Sequence, residues 1–316
     1  MRILALVPGG ISDQLLFFPA LDDIKQAYPN AEIGVVAEPE AVAAYRVSKI
    51  ANTVVPFSFS AAKSPSDWAN LLGVVRDREY EVVLSADDSW STGLMLWLSG
   101  IPTRVAYKST KAPYFYTATV SSEAEYQGDR YHDLLSGIER DGTAPALAIN
   151  VPEADIKWAD ALRDRLNLKD GYVLMYPLSS MDGSSYPLES WQALIVDFQK
   201  KQPDLPIVLL QTDDSSTLVS ALKNQDSQLV VTTAKNLGQA AALIAGANLV
   251  IAPDSPITQI AVALQVFTLV LFGENQPTQM LPAQSGEEKR FLGLSASSRK
   301  IADIKPEDVL QKVWGG

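Results

Sequence analysis

Gly246–Gly273 reads GANLVIAPDSPITQIAVALQVFTLVLFG, and the fold follows from this stretch. A short apolar run, Asn248–Ala252, has the length of a buried strand. It ends in Pro253-Asp254-Ser255-Pro256, a tight junction. Ser255 suits a helix N-cap and Pro256 the first helical position, where no intrahelical N–H is needed. The spacing predicts a helix over Ile257–Gln265 and a second strand over Phe267–Phe272. Strand, helix and strand in this order make a βαβ unit. An acid at the carboxyl end of a buried parallel strand, beside a helix N-terminus, stands where open α/β sheets hold ligands. On local pattern alone, the favoured reading is one more βαβ unit in which Asp254 merely caps its helix.

The pattern recurs on both sides of this unit. Upstream, apolar runs at Ile3–Val7, Ala31–Val36, Thr53–Pro56, Tyr80–Ser85 and Arg104–Tyr107 alternate with helical periodicity at Gln14–Ala27, Pro39–Val47, Trp68–Arg76 and Thr92–Leu98. Between Thr110 and Ala154 the alternation gives way to turn residues and aromatics, with one helix expected near Tyr131–Ile138. It restarts with a polar helix over Asp155–Leu166. Strands at Gly171–Tyr176, Pro206–Leu210 and Leu229–Thr232 then alternate with helices at Glu189–Lys200 and Leu237–Ala245, and Pro306–Trp314 forms a last helix. Such alternation is the signature of parallel sheets covered on both faces. The expected architecture is α/β with two Rossmann-like domains, residues 1–154 and 155–316, their parallel sheets facing a central cleft.

The totals narrow the function. A length of 316 residues suits two domains, and 47% hydrophobic with 20% charged residues describes a globular chain. A net charge of −11 argues against nucleic-acid binding and equally against electrostatic docking on anionic lipid. With no cysteine there is no disulfide, no cysteine-ligated metal and no thiol nucleophile. The opening MRILALVPGG reads as a first strand, not as a signal peptide. The richest apolar run, Gly93–Ile101, is about half of the roughly 18 residues a membrane span requires.

Candidate chemistry gathers at strand ends. Gly9-Gly10 after the first strand lets backbone N–H groups approach a ligand, or makes a tight turn. Asp13 is a candidate general base or a helix-dipole partner. The loop Ser179-Ser180-Met181-Asp182-Gly183-Ser184-Ser185 offers hydroxyls for phosphate but no basic side chain, and reads equally as a solvated turn. Asp213 and Asp214 stand where acids accept from ribose hydroxyls, or where they favour a helix N-terminus. His132, the single histidine, reads as structural, since no metal motif can be built around it. Asp87-Asp88 is not spaced for two metals. Tyr114, Phe115, Tyr116 and Tyr126 line a groove or pack an irregular loop, the second being favoured.

Three stretches together resemble one family. They are MRILALVPGGISDQLLFFPALDDIKQAYPNAEIGVV at residues 1–36, Tyr186-Pro187-Leu188-Glu189-Ser190-Trp191, and LIAGANLVIAPDSPITQIAVALQVFTLVLFGENQP at residues 243–277. They are similar to the ADP-heptose:lipopolysaccharide heptosyltransferases, glycosyltransferase family nine. The resemblance implies the GT-B fold, with the acceptor on the N-terminal domain and a nucleotide-sugar donor on the C-terminal one. It also implies inverting chemistry without metal or cofactor. By position, Asp13 matches the family's proposed catalytic base. Gly9, Gly10, Ser179, Ser180, Ser184, Asp213, Asp254, Ser255 and Gln259 match its donor-binding region.

The chain departs from that pattern at Ser184, Pro256 and Gln259, where the family has a phosphate-binding lysine, a glycine and a histidine. Ser12 replaces the glycine before the base. Two functions follow. The first is transfer of a heptose-like sugar from a nucleotide donor, ADP-linked by the resemblance, to a glycan or glycolipid acceptor. It would take place in the cytoplasm or at the inner face of the membrane. The alternative is a catalytically degenerate relative that acts as a non-enzymatic binding or assembly protein with a protein partner.

Overall fold

The computed structural model describes residues 1–59, 64–178, 185–284 and 289–315. The chain divides into two compact units, Met1–Ala148 and Ile149–Gly316. Each carries one six-stranded sheet, parallel at every pairing.

The first unit runs β1 (Arg2–Val7), α1 (Ile11–Ala27), β2 (Glu32–Ala37), β3 (Thr53–Pro56), α2 (Pro65–Asp77), β4 (Val82–Ser85), α3 (Trp90–Ser99), β5 (Thr103–Tyr107), β6 (Ala118–Val120) and α4 (Gln127–His132). Its strand order is β3-β2-β1-β4-β5-β6. Ile3–Val7 are almost fully buried, as a central strand covered on both faces must be. Residues 39–47, expected as a helix, form a 3-10 helix. The helix expected near Tyr131–Ile138 begins earlier, as α4, and continues as a 3-10 turn over Asp133–Ile138.

The second unit runs α5 (Glu153–Arg165), β7 (Val173–Met175), α6 (Leu188–Lys201), β8 (Ile207–Gln211), α7 (Ser216–Gln225), β9 (Val230–Thr233), α8 (Leu237–Ile244), β10 (Leu249–Pro253), α9 (Pro256–Ala263), β11 (Thr268–Phe272), α10 (Pro277–Met280), β12 (Phe291–Ser295) and α11 (Pro306–Trp314). Its order, β12-β11-β10-β7-β8-β9, repeats the first sheet's pattern. The βαβ unit read from Gly246–Gly273 is present as β10-α9-β11, with Val250 beside Thr268 and Ile251 beside Leu269. Tyr186 and Trp191 are fully buried and meet edge to face at 5.3 Å, so this resembling segment packs the core.

β6 and β12 escape the sequence pattern. The first is only three residues long at a sheet edge. The second carries Gly293 at its centre, where a Cβ would lie 2.6 Å from Pro277 Cβ on α10.

Candidate functional site

In each sheet the strand order reverses once, between β1 and β4 and between β7 and β10. The connections leave on opposite faces there, opening a crevice at the carboxyl ends of the strands.

At the first crevice the chain turns from β1 into α1 through Gly9, which adopts φ +96°. A Cβ on Gly9 would stand 2.3 Å from Asp13 Oδ2, so glycine is required by both backbone and space. Asp13 occupies the first turn of α1. Its Oδ2 accepts from the Gly10 N–H at 2.9 Å, and its Oδ1 accepts from the Tyr131 hydroxyl on α4, also at 2.9 Å. Burial, with the Asp13 charge beside it, pushes the Tyr131 phenol well above its ordinary range, so it remains a donor. Next in sequence, the buried Gln14 donates to the Val7 carbonyl at 2.9 Å and accepts from the Tyr45 hydroxyl at 2.9 Å. These bonds fix the strand-to-helix turn. The result is a half-buried carboxylate aimed by two donors, with lone pairs left to accept a proton.

Other residues singled out in this unit do not join that group. Asp87 Oδ2 accepts from the Ser89 hydroxyl at 2.6 Å and from the Thr92 hydroxyl, so it reinforces the N-terminus of α3. Asp88 pairs with Lys111 at 3.2 Å. His132 Nε2 lies 2.9 Å from Asp23 Oδ2, which also accepts from Arg140 at 2.6 Å on Oδ1. The Arg140 bond, supported by His132, holds the Asp23 carboxyl below its ordinary range despite burial. Asp23 is ten residues, or about 15 Å, further along α1 than Asp13. His132 is therefore a clamp between α1 and α4. Among the described residues no group of three or more His, Asp or Glu could hold a metal ion.

At the second crevice, Ser179, Ser180 and Ser184 lie outside the described residues. Asp254 and Ser255 stand at the end of β10. Asp254 is half-buried and its Oδ2 accepts from Asn275 Nδ2 at 2.7 Å. The Ser255 hydroxyl donates to the Pro253 carbonyl at 2.9 Å, and its N–H reaches Thr258 Oγ1 at 3.3 Å. Pro256 contributes no N–H to the start of α9. Gln259 is fully buried, and its amide donates to the Met280 carbonyl on α10 at 3.0 Å. Asp213 and Asp214 are exposed in the turn before α7. Tyr131, Asn275 and the α10 carbonyl were not among the sequence candidates, because each reaches its partner across 21 residues or more.

Two Rossmann-like units, each with its crevice at a strand-order reversal, define the GT-B class of α/β proteins. Residues 68–310 match the family model of glycosyltransferase family 9 (heptosyltransferase). The chain is 21% identical to the photosynthetic NDH subunit of subcomplex B 1, chloroplastic, of Arabidopsis thaliana, covering 96% of this chain and 71% of that one. It is 20% identical to lipopolysaccharide heptosyltransferase 3 of Escherichia coli, covering 83% of this chain and 80% of that one. The crystal structure of a family 9 glycosyltransferase from Veillonella parvula superposes with a TM-score of 0.81 at 17% identity, covering 98% of this chain and 95% of that one. This chain belongs to glycosyltransferase family 9. No helix among the described residues is long and apolar enough to cross a membrane.

Proposed function

We propose that this family member acts as a binding or assembly protein, without efficient transfer from a nucleotide sugar. One observation carries the reading: Gln259 is buried and its side-chain N–H is held by the Met280 carbonyl at 3.0 Å, with its Oε1 left without a partner among the described residues. Metal-free transfer requires donors or cations aimed at the leaving diphosphate. Residues 253–259 supply no basic side chain, Pro256 lacks its N–H, and the Ser255 hydroxyl is bonded to Pro253. The similarity to the Arabidopsis NDH subunit over 96% of this chain supports a role within an assembly.

A second reading is favoured by Asp13. Its posture, with Gly10 and Tyr131 as donors, suits the base of an inverting, metal-free transferase. The donor would be an ADP-linked, heptose-like sugar held by Gly9, Gly10, Ser179, Ser180, Ser184, Asp213, Asp254, Ser255 and Gln259. The acceptor would be a glycan or glycolipid in the cytoplasm or at the inner membrane face. Asp13 would take the acceptor hydroxyl's proton as the anomeric carbon is attacked.

Thermal melting with millimolar ADP, UDP and GDP separates the two readings. A bound nucleotide at a hundred times its Kd adds about 2.7 kcal/mol of stability. The expected result is no shift with any of the three. A clear rise, together with sugar transfer that Asp13→Asn abolishes at unchanged melting temperature, would establish the transferase reading instead.

A further inference from the structure

The first unit exposes a cluster of aromatic side chains that the crevice does not use. Trp90 is 51% exposed, Trp97 54% and Tyr114 66%, with Leu98 at 41% beside them. Phe115 is the hub. Its ring centroid lies 4.5 Å from Tyr114, 5.8 Å from Trp90 and 6.2 Å from Trp97. The hub is built into the fold, since a Cβ on Gly93 of α3 would lie 2.9 Å from the Phe115 ring. The Trp90 indole N–H donates to the Tyr114 hydroxyl at 2.9 Å, which sets both rings in place.

The charge around the cluster runs against that of the chain. From Ser89 to Ser122 the sequence carries Arg104, Lys108 and Lys111 and no Asp or Glu, within a chain that has 37 acids and 26 bases; Asp87 and Asp88, just before this stretch, are taken up by the Ser89 and Thr92 hydroxyls and by Lys111. Two guanidiniums brace the patch through main-chain carbonyls. Arg104 donates to Phe115 O at 2.7 Å, and Arg76, from α2, donates to Leu98 O. Lys111 pairs with Asp88, but both side chains are more than half exposed and such a pair is weak. Water at ordinary salt screens acids farther away than roughly 10 Å, and Arg76, Arg104, Lys108 and Lys111 outnumber the adjoining Asp87 and Asp88.

We infer that this face, centred on Trp90, Trp97 and Tyr114, docks on an anionic lipid surface. Trp and Tyr rings suit the headgroup level of a bilayer, and the adjacent Arg and Lys side chains complement anionic headgroups. The inference does not depend on whether sugar transfer survives.

The test is co-sedimentation of the full chain with vesicles of phosphatidylcholine alone, and of phosphatidylcholine and phosphatidylglycerol in equal parts. Binding is expected to the mixed vesicles, more weakly to the neutral ones, and to fall as salt rises. Trp90→Ser, Trp97→Ser and Tyr114→Ser together should weaken it about tenfold or more. Arg76→Gln with Lys111→Gln should weaken binding to the mixed vesicles by about fivefold per charge removed. The mutated aromatic side chains are more than half exposed, so melting of the aromatic variant should stay close to that of the parent and serves as the folding control. Absence of sedimentation with mixed vesicles at low salt overturns the inference. So does unchanged sedimentation of a folded aromatic variant, or a concentration-dependent dimer that this variant abolishes.

Discussion

The two crevices have the same topology and treat their acids differently. At the first, Asp13 receives one bond from the neighbouring Gly10 and one from Tyr131, 118 residues away, which together aim a half-buried carboxylate. At the second, most polar groups of β10 and α9 turn on the protein itself, while the buried Gln259 Oε1 has no partner among the described residues. Asp254 accepts from Asn275, Ser255 bonds to Pro253, and Gln259 bonds to Met280. A sheet reversal and a helix N-terminus are thus not enough to make a reactive site. What matters is whether the side chains there point towards a ligand or are consumed by their neighbours.

The largest expected effect falls on the first crevice. Gly9→Ala must place a Cβ in a left-handed backbone and 2.3 Å from Asp13 Oδ2. Strain of this kind costs about 1–3 kcal/mol, and displacement of Asp13 adds to it. Urea unfolding should show the loss. A fully stable Gly9→Ala variant would mean that Asp13 is not confined as described.

At the second crevice the decisive change is Gln259→His, which installs the residue type that the family resemblance implies. In this fully buried position the exchange disturbs the packing and the bond to the Met280 carbonyl, and should cost about 1–3 kcal/mol. Gln259→Met keeps a similar volume but leaves the Met280 carbonyl without this donor, so it too should cost about 1–3 kcal/mol. If Gln259→His is neutral and creates a melting shift with ADP, the second crevice is open after all and the comparison fails.

The sequence made the sheets legible because their central strands are buried on both faces and read as unbroken apolar runs such as Ile3–Val7 and Leu249–Ala252. It also showed Gly9, Asp13 and Asp254, since glycine and acids at strand ends are local signals. It could not show that Tyr131 completes Asp13, or that Met280 closes Gln259. Those pairings depend on where distant elements pack. The edge strands β6 and β12 were hidden for another reason. Short or glycine-containing strands have too few alternations to register.

Tyr131→Phe tests the long-range half of the first crevice. It removes one hydrogen bond to a carboxylate and leaves the ring packed at 5.3 Å from Phe17. The loss should be about 1.5 kcal/mol, measured by urea unfolding, with the aromatic packing retained. An equal loss in a variant already carrying Asp13→Asn would show that the two side chains do not act as a pair.

The smallest effect concerns what holds Tyr131 in reach. Its neighbour His132 bonds to Asp23, so consecutive residues of α4 grip α1 at two points. Asp23 has a folded-state pKa below its ordinary 3.8, chiefly through the Arg140 bond. A carboxyl shifted down contributes stability that is present in full above the unfolded value and is lost as pH falls through the folded one. Asp23→Asn should therefore lower the melting temperature near neutral pH, and the gap to the parent should narrow below about pH 4. Because Asp23 sits about 15 Å along α1 from Asp13, its loss should loosen α4 without touching the carboxylate itself. A gap that stays constant down to acid pH would mean that the clamp acts through packing and not through charge. Tyr131 would then owe its position to the apolar contacts of α4 alone.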